Sequence, residues 1–289
     1  MSGRTDFLHD GGVTPSVKAT LRALVHSNVF ISASASSVVA TTAVLAALPL
    51  EPIPFFIVFS VTMFVYGLNR VTDLEEDERS VPDRAAFTRR YGRFWLALGV
   101  ALYLAAVGIA VALDVPRAQY MCLPLAVAVL YSTAGLKRVF LLKNLLVGLA
   151  WAAIPLGVGV YYDALRTPEV LGVAAYVGAM ITIAAVIFDI KDIEGDAAEG
   201  ISTVPVRFGP RSTRIASQVA NVAVAACVVG AVVGGFLPRR FLVLLVTNLY
   251  VGLYIPAARP DLGPLYYGFV VDGEHLVLAV AALSMDALA

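Results

Sequence analysis

Nine stretches of this 289-residue chain are long and apolar enough, or nearly so, to cross a bilayer, whose roughly 30 Å hydrocarbon core takes about 20 residues of helix. They fall near residues 24–48, 53–70, 94–113, 117–136, 140–161, 169–188, 213–236, 240–257 and 266–287. Only 15% of the residues are charged, against about 25% in an ordinary soluble domain, and the mean hydropathy is +0.82. A soluble enzyme is thereby excluded. Backbone polar groups inside lipid must be satisfied internally, so spans of this length are helices. The expected fold is all-α, a polytopic bundle of about nine transmembrane helices around a central cavity capped by cytoplasmic loops. Residues 1–289 read as a single integral-membrane domain, with 1–20 as a polar cytoplasmic segment and no cleaved leader.

The placement of charge orients the bundle. There are 21 basic and 21 acidic residues, so no net field attracts nucleic acid. With the N-terminus cytoplasmic, only Arg117, Arg166, Arg239 and Arg240 of the 21 basic residues fall outside, as the positive-inside rule requires. The two long connections, about 70–93 and 189–212, then lie in the cytoplasm, where functional loops are expected. The reading is a multi-pass cell-membrane protein with its working face inside. Cys122 and Cys227 sit in apolar runs without ligand-like spacing and read as small hydrophobes.

Two acidic motifs stand at the cytoplasmic ends of spans. In LNRVTDLEEDERS, Asn69, Asp73 and Asp77 are spaced by four and share one face if the helix continues past the membrane edge. In FDIKDIEGD, Asp192 and Asp196 repeat that spacing, and Asp189 lies one turn earlier at the end of an apolar run. A carboxylate there is costly unless it is paired or holds a metal. Facing each other, the two motifs offer hard oxygen ligands for Mg²⁺, an ion that takes a few carboxylates and completes its shell with water and phosphate. Between them YSTAGLKR carries Lys137 and Arg138, a point charge and a planar fork suited to phosphate. Each motif alone also reads as a solvated helix end or a positive-inside anchor. Together they describe a diphosphate site.

At this point the chain resembles the UbiA superfamily of intramembrane prenyltransferases. LNRVTDLEED is similar to its first Asp-rich motif, DIKDIEGD to its second, and YSTAGLKR to its Tyr-Ser…Leu-Lys-Arg motif. The resemblance implies transfer of a prenyl group from a polyprenyl diphosphate to a lipophilic acceptor, with release of diphosphate. It implies two Mg²⁺ ions bridging the diphosphate, with Asn69, Asp73, Asp77, Asp189, Asp192 and Asp196 as the metal-site residues. Lys137, Arg138, Arg70 and Lys191 would hold the diphosphate. Asp73, Asp192, Lys137, Arg138 and Tyr131 form the catalytic set, Tyr131 through its ring face toward an allylic cation; Tyr66, one turn before Arg70, is a second aromatic candidate.

Several departures stand out. Arg70 occupies a place where the family usually has Asp, and Phe188 a place often Asp or Asn, with Asp189 beside it. The first span, VHSNVFISASASS, lacks the family's Arg-Pro pattern, and ERSVPDRAAF lacks the Arg-Pro-rich loop of the archaeal lipid-forming branch. His26 and Asn28, near the cytoplasmic end of that span, read as helix-end polar residues that could also touch an acceptor. A cation or small-molecule transporter is the rival of another class, and a degenerate non-catalytic member a third reading. No obligate protein partner is implied; the partners are the prenyl diphosphate, the acceptor and membrane lipid.

Overall fold

The computed structural model describes residues 15–125, 139–263 and 265–288, and among these there is no strand. In order, the α-helices of the described residues are α1 (Pro15–His26), α2 (Val29–Ala46), α3 (Pro52–Thr72), α4 (Leu74–Ser80), α5 (Pro82–Ala112), α6 (Leu142–Tyr161), α7 (Pro168–Phe188), α8 (Ile193–Ala198), α9 (Val204–Val233, kinked at Gly209), α10 (Leu244–Tyr254) and α11 (Glu274–Ala287). A 3₁₀ turn, Arg239–Val243, leads into α10, and a wide π-type turn, Tyr266–Val271, leads into α11. Eight stretches of the described residues are long and apolar enough to span a membrane, and they coincide with eight of the nine expected from the sequence. The other, near 117–136, lies largely outside the described residues; its first part is the short turn Ala118–Met121, to which the Tyr103 hydroxyl donates a hydrogen bond at the Met121 carbonyl.

Helix α2 is the centre of the bundle. Its run of Ser, Ala, Thr and Val is buried along nearly its whole length, because small side chains let neighbouring backbones approach where lipid offers no hydrophobic drive. Some of its hydroxyls bond within the helix, Ser37 donating to the Ser34 carbonyl at 2.7 Å and Thr42 to that of Val38 at 2.7 Å, while Ser36 donates across to the Phe55 carbonyl of α3 at 3.3 Å. Helices α3, α6, α7 and α11 surround it.

Close packing is fixed by particular residues. Gly148 on α6 faces Gly178 on α7, and a Cβ added at 148 would stand 2.5 Å from the Gly178 carbonyl oxygen, so α6 and α7 meet backbone to backbone. On the other side, Asn248 of α10 donates to Asn221 Oδ1 of α9 at 2.8 Å, and Asn221 returns a bond to the Asn248 carbonyl at 2.9 Å. Tyr176 of α7 donates to the Leu244 carbonyl at 2.8 Å and lies 3.1 Å from Asn248 Oδ1. Polar side chains satisfied across three helices tie the bundle together where water cannot compete.

One expectation is refined. The connection 70–93 is not an extended loop: apart from Asp73 and Val81 it is helical, as α4 and the first turns of α5. Proline at the first helical position, with its missing N–H and preset φ, lets α5 start at once after the chain reverses.

Candidate active site

The first acidic motif spans a soft joint. α3 ends at Thr72 and Asp73 leaves helical geometry slightly (φ −96°, ψ 14°) before α4 begins. The hydrogen-bond ladder nevertheless runs through: the Asp73 N–H donates to Asn69 and the Asp77 N–H to Asp73, each at 2.9 Å. Asn69, Asp73 and Asp77 are thus consecutive rungs, as their spacing predicts. Asp77 is buried, and the reversal at Pro82 lays Arg84 across it. The guanidinium grips both carboxylate oxygens, Nε to Oδ2 at 2.8 Å and Nη2 to Oδ1. Such a two-point fork is the geometry in which Arg holds a carboxylate best.

The second motif is built on a helix break. α7 stops at Phe188, the Asp192 N–H reaches back to Asp189 at 3.2 Å, and the Asp196 N–H to Asp192 at 2.8 Å. Asp189 is buried and receives Lys143 Nζ at 2.8 Å and Asn144 Nδ2 at 2.9 Å, both from the start of α6. Burial pushes its carboxyl above the usual range, with Lys143 and Asn144 opposing the shift. Asp192 takes both contacts of Lys191 Nζ, at 2.7 and 3.0 Å. Burial pulls the Lys191 ammonium down, with the Asp192 carboxylate opposing. Asp196 is buried, its Oδ2 has no hydrogen-bond partner, and burial lifts its carboxyl to about 6.

A cavity of about 130 Å³ opens between the motifs, under α1 and beside the turn into α11. Of the residues expected from the sequence it gathers Arg70, Lys191 and Asp192, with Tyr66 on its wall; Asp77 adjoins it through Arg84, which lines it. Asn69, Asp73, Asp189 and Asp196 do not face it directly. Tyr131, Lys137 and Arg138 lie outside the described residues. Sequence reasoning missed two members. Arg84 is one of the 17 basic residues that the charge pattern places on the inner side, and an Arg seven residues after Asp77, just past a helix-starting Pro, is a legible clasp. Asp272 falls within the apolar stretch 266–287, where a carboxylate is itself a functional signal. His26 and Asn28 also line the cavity. Burial, then Arg84 and Arg70, pull the His26 imidazole down to about 4, so it is neutral at pH 7.

The donor set can be tested against a divalent ion. Among the described residues no three His, Cys, Asp or Glu side chains converge closely enough to hold a metal alone. Three of the motif carboxylates are instead tied to Arg84, Lys143 and Lys191. The bare, buried Oδ2 of Asp196 is the exception. Mg²⁺ usually takes one or two carboxylates and fills its shell with water and substrate phosphates. The residues therefore fit a metal that is completed by a diphosphate, with Arg70, Arg84 and Lys191 lining the cavity.

The chain is similar to known proteins. The UbiA prenyltransferase family model matches residues 29–260. A digeranylgeranylglyceryl phosphate synthase of Sulfolobus acidocaldarius is 28% identical over 212 residues, which cover 71% of this chain and 74% of that protein. The apo structure of a UbiA homologue from Aeropyrum pernix K1 has the same fold, with a TM-score of 0.67 at 21% identity over 89% of this chain and 98% of that one. A UbiA homologue from Archaeoglobus fulgidus, solved with GPP and Mg²⁺, has a TM-score of 0.61 at 12% identity over 92% of this chain and 99% of that one. Bound to DMAPP and Mg²⁺ it gives 0.60 at 11% identity, over 93% and 99%. With the motifs, the multi-pass helical fold and a match over most of its length in accord, the chain belongs to the UbiA prenyltransferase family.

Proposed function

We propose that this protein transfers a prenyl group from a polyprenyl diphosphate to a lipophilic acceptor in a Mg²⁺-dependent reaction, releasing diphosphate, and that residues 1–289 form one domain whose charged end faces the cytoplasm. The observation that carries the reading is the cavity between the two Asp motifs, where Arg70, Arg84 and Lys191 converge beside Asp192. Three cations on one small cavity at a membrane edge suit an anion of high charge attached to a greasy tail. The bound DMAPP, GPP and Mg²⁺ of the Archaeoglobus homologue support the donor class.

Asn69, Asp73 and Asp77 on one side, and Asp189, Asp192 and Asp196 on the other, are the residues that would hold the metal, which when bound would offset the charge of the departing diphosphate. Arg70 and Lys191, joined by Lys137 and Arg138, take the rest of that charge. Loss of diphosphate leaves an allylic cation, and the apolar helices around the chain keep it from water. The ring face of Tyr66 on the cavity wall, together with Tyr131, attracts that cation. A transporter would place its carboxylates around the membrane midplane on broken helices; the motif acids of this chain instead lie at the ends of spans, and Asp77, Asp189 and Asp192 are each paired with a basic side chain.

The test is direct. Asp73→Ala and Asp192→Ala, each inserted normally in membranes, are expected to lose at least about 100-fold in Mg²⁺-dependent diphosphate release from geranylgeranyl diphosphate supplied with extracted lipid acceptors. Turnover retained in either variant overturns the assignment.

A further inference from the structure

Two ionisable side chains lie deep in the bundle and take no part in the site described above. Glu274 and His275, at the start of α11, are 0% and 1% exposed, inside a stretch apolar enough to span the membrane. An apolar pair would fill that space without the cost of desolvating a carboxylate and an imidazole, so ionisable groups there point to a function beyond filling.

Their contacts run in one direction. The Tyr254 hydroxyl of α10 donates to Glu274 Oε2 at 2.7 Å, and Glu274 Oε1 lies 3.5 Å from His275 Nε2. Neither imidazole nitrogen has a hydrogen-bond partner among the described residues, so what His275 offers is its flat face. The buried Trp151 indole of α6 stacks on that face, with ring centroids 5.4 Å apart and planes 27° apart. Trp151 Nε1 in turn donates to the Tyr66 hydroxyl of α3 at 3.4 Å. Tyr254, Glu274, His275 and Trp151 do not line the cavity, and Tyr66 is the point at which the chain of contacts reaches its wall. Four helices thus contribute to the placing of one ring tip. The attraction between a ring face and a cation holds only within about 6 Å of the ring centre, so where the ring is held decides whether it acts.

Resting on the prenyl-transfer reading, we propose that Trp151, backed by His275 and Glu274, is a positioning residue that holds the Tyr66 ring against the allylic cation until the acceptor adds. When the diphosphate leaves, the bond between C1 of the prenyl chain and the phosphate oxygen breaks, and both electrons go to the diphosphate. An electron pair of the acceptor forms the new bond at C1, and the acceptor's proton passes to the diphosphate. A cation left unguarded takes the oxygen of a water molecule instead, which loses a proton in the same way and leaves a prenyl alcohol. The brace sets the share of the two products. Glu274 and His275 lie beyond residues 29–260, the part that matches the family.

Full-length protein in nanodiscs, given Mg²⁺, chain-labelled geranylgeranyl diphosphate and extracted lipid acceptors, reports rate and product share together. Tyr66→Phe and Trp151→Phe each remove the bond between the two residues and keep a ring at both places. Each should lower kcat about fivefold, the scale of one hydrogen bond, with KM for the diphosphate changed by less than about twofold and the share of label recovered as geranylgeraniol raised at least about threefold. Because both remove the same bond, the double variant should fall below the poorer single one by no more than about twofold. His275→Phe, which keeps a flat ring for Trp151, should give the wild-type product share, and His275→Leu should not. Losses that multiply in the double variant, a product share unmoved in Trp151→Phe, or equal shares in the two His275 variants overturn the brace. Wild type reports on the reading beneath it: no diphosphate released from the donor sinks prenyl transfer, whereas release that the variants leave unchanged sinks the brace alone.

Discussion

Arg84 ties the first acidic motif to the helix that follows it, and its contribution can be read at the level of a single pair. Removing the guanidinium leaves Asp77 buried without the fork that holds both its oxygens, a change that typically costs about 3 kcal/mol. Arg84→Ala should therefore lower the unfolding free energy by about that amount, and Arg84→Lys should recover part but not all of it, because an ammonium cannot make the two-point contact. Chemical unfolding in micelles checks both. Asp196 behaves in the opposite sense. Its carboxyl sits near 6 in the fold against 3.8 ordinarily, so the fold favours its protonated form. That stabilising contribution is complete below about pH 4 and is lost as pH rises through 6. Asp196→Asn should flatten the decline of metal-free stability between pH 4 and 7, and a decline equally steep in the variant would refute the assignment.

At the scale of elements, the spans were legible because the bilayer imposes length and apolarity on every one of them. Eight of the nine expected stretches are helices with bounds within a few residues, apart from the early start of α5, which begins in polar sequence ahead of the apolar run; α9 joins a short helix to the expected span across a kink at Gly209 (φ 78°, ψ 161°). The start of α5 does not show in hydropathy because Pro82 acts through local backbone geometry. The rungs Asn69, Asp73 and Asp77 could be read from spacing alone. The inward position of Asp272, His26 and Asn28 could not, since it depends on how α1 and the turn before α11 fold over the end of the bundle. The α6–α7 contact is likewise invisible in one dimension. Gly148→Leu should force the two backbones apart and cost about 3 kcal/mol, with loss of thermal stability as the readout. Asn248→Leu removes bonds to α9 and α7, for a smaller loss of about 1–2 kcal/mol.

For the molecule as a whole, the inferred orientation makes a prediction of its own. With Cys122 and Cys227 replaced, Arg211→Cys should react with an impermeant thiol reagent only in inverted vesicles, and Arg166→Cys only in right-side-out ones. Labelling of both from one side would discard the topology. The ion pairs at the charged end carry a larger consequence. Asp77, Asp189 and Asp192 each keep a basic side chain close, so these three charges are offset within the protein. A divalent cation arriving alone must displace those basic groups and leave them stranded, while a diphosphate arriving alone must draw them off the acids. Arriving together, each ligand takes what the other releases. Metal and diphosphate affinities are then linked, and the factor by which one raises the other is the same in both directions. Inorganic diphosphate should sharpen Mg²⁺ binding measured by calorimetry, and Mg²⁺ should sharpen diphosphate binding to the same degree. On the proposed reading the bundle would act as a receptor for a salt, with little affinity for either of its ions apart.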